Sequence, residues 1–346
     1  MKFKLKLVTL AAGRKSFPHD WEALHDADLV AWGCVEDWFT RVRVVKDNHA
    51  FLPSIDLSPL VSDLRRRHIV ARAFYDRGEK LEHETSRGPV HSTVAVEVSG
   101  SHPERYRYRA ETLLQYLMCQ AFCILNLTVP GCCDLGFAAL IHDPPIHDLA
   151  GEEIRWECDL SGHFFEAAWR MRDEIGWKAV EILDPRVVER WLWTVSPPEE
   201  VGLRNPLAEC IFILLRLART EYGPLTLLWA LHALENLFGQ KGGRGFLGLS
   251  EPIGRLLGLR GGDLADLRSA LRRQDLALQS FLKRKGLTTH PTAGSPWSPD
   301  DPDGIAEFER IVDIAAYILV GCVQQTIIRQ SNDESWKAKQ YGEQRR

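Results

Sequence analysis

Apolar and polar residues alternate with a period of two in short pieces through the first ~110 residues, the pattern of half-buried strands. The pieces are Lys2–Leu10, Asp28–Val35, Thr40–Lys46, His68–Phe74, Ser92–Val98 and Arg105–Arg109. In the last, Tyr106 and Tyr108 alternate with three arginines, as on a solvated edge strand. From Ala110 the period lengthens to about 3.6, which predicts helices. They are expected over Glu111–Leu127, Gly162–Arg172, Pro185–Val195, Pro206–Thr220, Pro224–Phe238, Asp263–Lys285 and Gly304–Gln330. Three open on a proline, whose missing N–H costs nothing in a first turn, and Asn205 precedes Pro206 as a side-chain cap. A loop with Asp143, Pro144, Pro145, His147 and Asp148 follows the first helix, and GSPWSPDDPD (294–303) joins the last two.

This pattern predicts an α+β chain. A strand-rich module covers 1–110, a helical connector and loop 111–158, a helical bundle 159–332, and a polar tail 333–346. The 346 residues suit about two domains. At 45% hydrophobic and 26% charged the composition is that of a folded globular protein. Eight cysteines without a CxxC pair make neither a disulfide framework nor a zinc ribbon, which points to a reducing, cytoplasmic setting. Lysines interrupt the start MKFKLKLVTL, so it reads as a strand and not as a signal core. Two uncharged stretches, 112–133 and 314–328, raise the question of a membrane. The first carries Gln115, Gln120 and Asn126, the second is short and carries Gln324 and Gln325, and no span is expected.

The net charge of −4 says little, but one segment differs. Between 255 and 285, Arg255, Arg260, Arg268, Arg272, Arg273, Lys283, Arg284 and Lys285 face only Asp263, Asp266 and Asp275, a local net of +5. In the helix from Asp263, Leu264, Leu267, Leu271, Leu278 and Leu282 form a near-heptad stripe that leaves Arg268, Arg272 and Arg273 off the buried face. Lys283-Arg284-Lys285 complements the negative helix end, and Gly286 suits a terminating turn. In the helix from Pro224, Leu228, Leu231, Glu235 and Phe238 share a stripe. Glu235 then needs a partner, with Arg216, Arg219 and the basic segment as candidates, and His232 lies one turn away.

Arg284 and His290 are separated by five residues across RKGLTTHP. A guanidinium grips a phosphate with its planar fork, and an imidazole moves protons near neutral pH, which together suffice for RNA cleavage without metal. Lys283, Lys285, Arg272 and Arg273 would supply phosphate contacts.

Those residues sit in a region, Asp159–Gln330, that resembles the HEPN superfamily, in particular its Apea-like branch. The resemblance is carried by WLWTVS, FILLRLART, LHALENLF, GLSEPIGRLLG, RKGLTTHP and the long closing helix. The family signature is Arg, four to six residues, then His. It also occurs here at Arg14/His19, Arg43/His49 and Arg77/His83, but only Arg284/His290 falls in the helical half. The resemblance implies a homodimer whose two Arg/His sets converge on one cleft, and a cofactor-free endoribonuclease of the toxin or anti-phage kind. The catalytic set is then Arg284, His290 and Glu235, the N-terminal module is a sensor or restraint, and an antitoxin or defence component is a partner. Lys285 and Pro291 stand where the family favours a small polar residue and Gly. That leaves a second reading, a non-catalytic module binding RNA, nucleotide or protein.

Other constellations compare poorly. His142-Asp143 and His147-Asp148 offer metal ligands but lack helix-borne spacing, and no metal site is expected. GQKGGRG (239–245) misses the phosphate-loop pattern, and no GxSxG occurs. Cys119, Cys123, Cys132 and Cys133 are expected as small buried hydrophobes, and Trp21, Trp32 and Trp38 as core.

Overall fold

The computed structural model describes residues 2–12, 21–46, 48–75, 90–143, 154–156, 160–197, 205–220, 223–239, 245–285 and 302–333. Strands are β1 (Lys2–Ala12), β2 (Val44–Lys46), β3 (His49–Asp56), β4 (Val90–Ser99), β5 (Asp134–Asp143) and β6 (Ile154–Trp156). Helices are α1 (Trp21–Arg41), α2 (Ser58–Tyr75), α3 (Arg107–Thr128), α4 (His163–Ile175) and α5 (Pro185–Val195). They continue with α6 (Pro206–Leu217), α7 (Pro224–Leu237), α8 (Ser250–Leu257), α9 (Gly261–Lys285) and α10 (Pro302–Asn332). The chain is thus α+β, and it divides into two compact units: Met1–Gly162 with Ile182–Val201, and His163–Glu181 with Gly202–Arg346.

The first unit is a six-stranded antiparallel sheet, ordered β2-β3-β4-β1-β5-β6, with helices packed against it. Because β1 runs antiparallel to β4 and β5, and β4 to β3, the pairs β1/β3 and β4/β5 are each parallel with one strand between them. With α1 and α3 as their crossovers, these are two interleaved split βαβ units. The register explains the alternation in β1. Phe3, Leu5 and Leu7 stand opposite Val98, Val96 and Val94, which are buried together with Phe51, while Lys2, Lys4 and Lys6 take the intervening positions. The uncharged stretch 112–133 lies mostly in α3, whose buried residues run through the core of this unit. Asn126 organises the turn that ends it, donating to Phe122 O and Cys133 O at 3.2 and 3.0 Å and accepting from Gly131 N at 3.1 Å.

Several expected strands are helical. Asp28–Val35 lies in α1 and His68–Phe74 in α2, while Arg105–Arg109 forms a 3-10 turn and the start of α3. In α1 the buried Leu24, Ala31, Trp32, Val35, Trp38 and Phe39 recur at three and four, and an eight-residue window of that series also fits a period of two. Of Thr40–Lys46 only Val44–Lys46 is strand. β3, β5 and β6 were not expected. β5 reads DLGFAALIHD, a nearly continuous apolar run without alternation. The domain boundary also differs. α5, which carries WLWTVS, belongs to the sheet unit, where it packs on α1 and α3. Arg41 on α1 bonds the nearly buried Glu189 of α5 at 2.8 Å, and Trp38 meets Trp193 edge to face at 6.5 Å.

The second unit is a bundle of α4 and α6–α10, with α10 contacted by α4, α7, α8 and α9. α10 is long and apolar enough to cross a membrane, but 89% of its most apolar window is buried inside the protein. Its polar residues have specific structural tasks. Gln324 accepts from Glu181 N at 2.9 Å and donates to Glu181 O at 2.8 Å; Tyr317 donates to Trp177 O and accepts from Ala179 N. Between them Gly321 admits Ala179, since a Cβ there would lie 2.9 Å from that of Ala179. One face of α10, at 317, 321 and 324, therefore holds the turn and loop after α4 at residues 177, 179 and 181. Arg170–Asp313 at 2.7 Å and Arg310–Glu174 at 2.5 Å fasten α4 to the same helix.

Candidate nucleic-acid interface

α9 is amphipathic as its leucine stripe requires. Leu267, Ala270, Leu271, Gln274, Ala277 and Leu278 are buried, and Arg268, Arg272 and Arg273 are exposed. Arg268 and Arg272 stand four apart, a like-charge spacing that costs a helix a few tenths of a kcal/mol, about 0.2–0.5. Neither has an ionic partner among the described residues. Arg273 reaches Glu307 of α10 at 3.8 Å with both side chains about half exposed, an interaction worth little in water. The nearby acidic charge is engaged elsewhere. Asp275 accepts from Phe246 N and Leu247 N at 2.7 and 2.9 Å, and so caps the 3-10 turn Leu247–Leu249 that leads into α8. Arg329 of α10 donates to Arg255 O and Leu256 O, closing the other end of α8. Arg255 itself pairs with Glu251 at 2.8 Å on the surface.

Lys283, Arg284 and Lys285 form the last turn of α9. Each lies eleven residues beyond Arg272, Arg273 or Gln274, so three turns, about 16 Å along the axis, separate the rows. Their side chains, and all of 286–301 with His290, lie outside the described residues. Glu235 is in place on α7, and among the described residues no arginine meets it. Its partner is His232, Nδ1 to Oε2 at 3.9 Å, with the carboxylate side chain 13% exposed and the imidazole 58% exposed. Arg216, an expected partner, instead lies over the ring of Phe212 at 5.2 Å.

The remaining candidates resolve by position. His142 and Asp143 are consecutive in β5 and so occupy opposite faces of the sheet, opposite Leu5 and Lys4 in register. His147 and Asp148 lie outside the described residues. No group of three or more His, Cys, Asp or Glu side chains is assembled for a metal among the described residues. Cys123, Cys132 and Cys133 are buried, Cys119 partly so; Trp32 and Trp38 are core, and the side chain of Trp21 is outside the description. Burial pushes the Cys34 thiol up to about 11 and that of Cys210 up to about 12, which makes both poor nucleophiles.

Sequence reasoning missed two features. Gln274 is 1% exposed, and among the described residues neither its Oε1 nor its Nε2 has a hydrogen-bond partner, a cost of about 1–3 kcal/mol. The signal was there: position 274 is where the leucine stripe between Leu271 and Leu278 turns polar. The other is an exposed row on α7, where Trp229 and His232 place their rings side by side, centroids 6.4 Å apart and planes tilted by 32°. Comparison of the chain with protein-family models, curated proteins and solved structures returned no match.

Proposed function

We propose that the chain is a metal-independent endoribonuclease of HEPN-like type that holds RNA along α9. The observation that carries this reading is the exposed Arg268 and Arg272, without ionic partners among the described residues, on the helix whose last turn is Lys283-Arg284-Lys285. Arginines arranged for stability would be paired or would cap a helix, as Arg170 and Arg329 do. Unpaired and exposed, they suit phosphates, which release counterions on contact. Arg272, Arg273, Lys283 and Lys285 contact the backbone. The His290 imidazole takes the proton of a ribose 2′-OH, the 2′-oxygen attacks phosphorus, and the P–O5′ bond breaks as O5′ collects a proton. Arg284 stabilises the extra charge on the phosphorane, and a cyclic 2′,3′-phosphate remains. The family resemblance adds a homodimer, a cytoplasmic toxin or anti-phage role, and an antitoxin or defence partner, with the sheet unit as sensor or restraint.

The test is incubation of the purified protein with RNA in EDTA. Cleavage is expected, falling by about 10²–10⁴ in His290→Ala and Arg284→Ala with folding intact. Metal-dependent cleavage, or none, contradicts the nuclease reading. The pairing of Glu235 with His232, with no arginine beside it among the described residues, favours one second reading, an RNA-binding bundle without cleavage, which predicts equal retention of RNA by all three proteins and no products.

A further inference from the structure

The exposed row on α7 is not used by the chemistry above. Leu225, Trp229, His232 and Asn236 follow one another at intervals of four, three and four, which places them on one flank of the helix. The buried residues Thr226, Leu227, Ala230, Ala233 and Leu234 occupy the flank turned to the bundle. Leu225 is 42% exposed, Trp229 is partly exposed, and the His232 imidazole lies beside the indole. The mostly covered Glu235 carboxylate lies 3.9 Å from His232 Nδ1. Asn236 donates from Nδ2 to His232 O at 3.1 Å, which leaves its Oδ1 as an acceptor. An indole and an imidazole side by side on a surface offer flat, low-entropy contact area to another flat group.

Charge says which group. α7 packs directly against α9, with its exposed arginines, and against α6, which carries the exposed Arg216. Paired rings on a helix whose two packing neighbours carry exposed arginines are a combination that suits single-stranded nucleic acid, with bases on the rings and phosphates on the guanidinium groups. We infer that Leu225, Trp229, His232 and Asn236 form a stacking platform for an unpaired base of single-stranded RNA. The inference rests on the RNA-binding reading above and specifies how the strand is held.

The test uses the full-length protein and a single-stranded 2′-O-methyl RNA oligonucleotide, which cannot be cleaved by 2′-oxygen attack, with one 2-aminopurine base. Anisotropy reads binding, and quenching of the 2-aminopurine fluorescence reads stacking. Binding with quenching is expected. Trp229→Ala abolishes the quench and weakens binding about tenfold, while Trp229→Phe keeps most of both. A poly-glutamate peptide leaves the complex intact. Wild-type binding without quench, an unchanged quench in Trp229→Ala with native circular dichroism, or displacement by poly-glutamate overturns the platform and leaves RNA binding on α9 standing. If the oligonucleotide does not bind at all, the platform and the reading beneath it fall together.

Discussion

α9 and α10 are neighbours in one bundle, yet they handle polar side chains in opposite ways. On α10 the buried Gln324 and Tyr317 each meet two named backbone groups, and Asp313 meets Arg170. Among the described residues the buried Gln274 of α9 meets none, and Arg268 and Arg272 face solvent without a carboxylate. A polar group kept for stability comes with its partner, because an unpartnered one costs more than an apolar replacement. The contrast therefore separates a helix built to hold the bundle from one shaped for something outside it.

The largest expected effect is on two buried thiols of the bundle, Cys322 of α10 itself and Cys210 of α6. Cys322 and Cys210 are buried, and burial pushes both upward, Cys210 to about 12 from an ordinary 9.0. Iodoacetamide at pH 8 should label them only through unfolding, roughly a thousandfold or more slower than a free thiol. The unfolded chain loses these protons above pH 9 while the folded chain keeps them. Stability is therefore complete below pH 9 and falls between pH 9 and about 12. A urea midpoint that rises from pH 8 to pH 10.5 would contradict this.

Next in size, Gln324→Leu strands Glu181 N–H and C=O and should cost about 2 kcal/mol in urea unfolding. On α9 the sign reverses: Gln274→Met, close in volume, should gain about 1 kcal/mol. A loss there would mean that Gln274 has a partner in solution and that the contrast is overdrawn. Smallest of all, Arg268→Ala with Arg272→Ala should leave stability within about 0.5 kcal/mol of the wild type.

Several elements of the fold are legible in the chain, and the exceptions have physical reasons. α5 was placed to the residue because the Asp184 side chain caps it and Pro185 occupies its first turn. The lysine alternation of β1 identified a strand because one face of that sheet is buried. α1 and α2 were misread because short windows of a three-and-four pattern also satisfy alternation. β5 was missed because a continuous apolar run carries no period at all. At the site, the stripe position of Glu235 was legible and its partner was not. Periodicity locates a face, while the choice among Arg216, Arg219 and the basic segment depends on how helices pack; the contact seen among the described residues is His232, one turn away on the same helix. In the sequence Gln324 reads only as a polar interruption, since nothing local reveals that Glu181 presents its backbone there.

The central claim is that the arginine face of α9 meets RNA phosphates, and the salt dependence of binding tests it most directly. Affinity for a single-stranded RNA oligonucleotide should fall linearly on a log–log plot against salt. The slope should become shallower by about 0.7 for each of Arg268, Arg272 and Arg273 changed to Ala, with folding unaltered. A slope identical in the wild type and the triple variant would place the phosphates elsewhere and contradict the account.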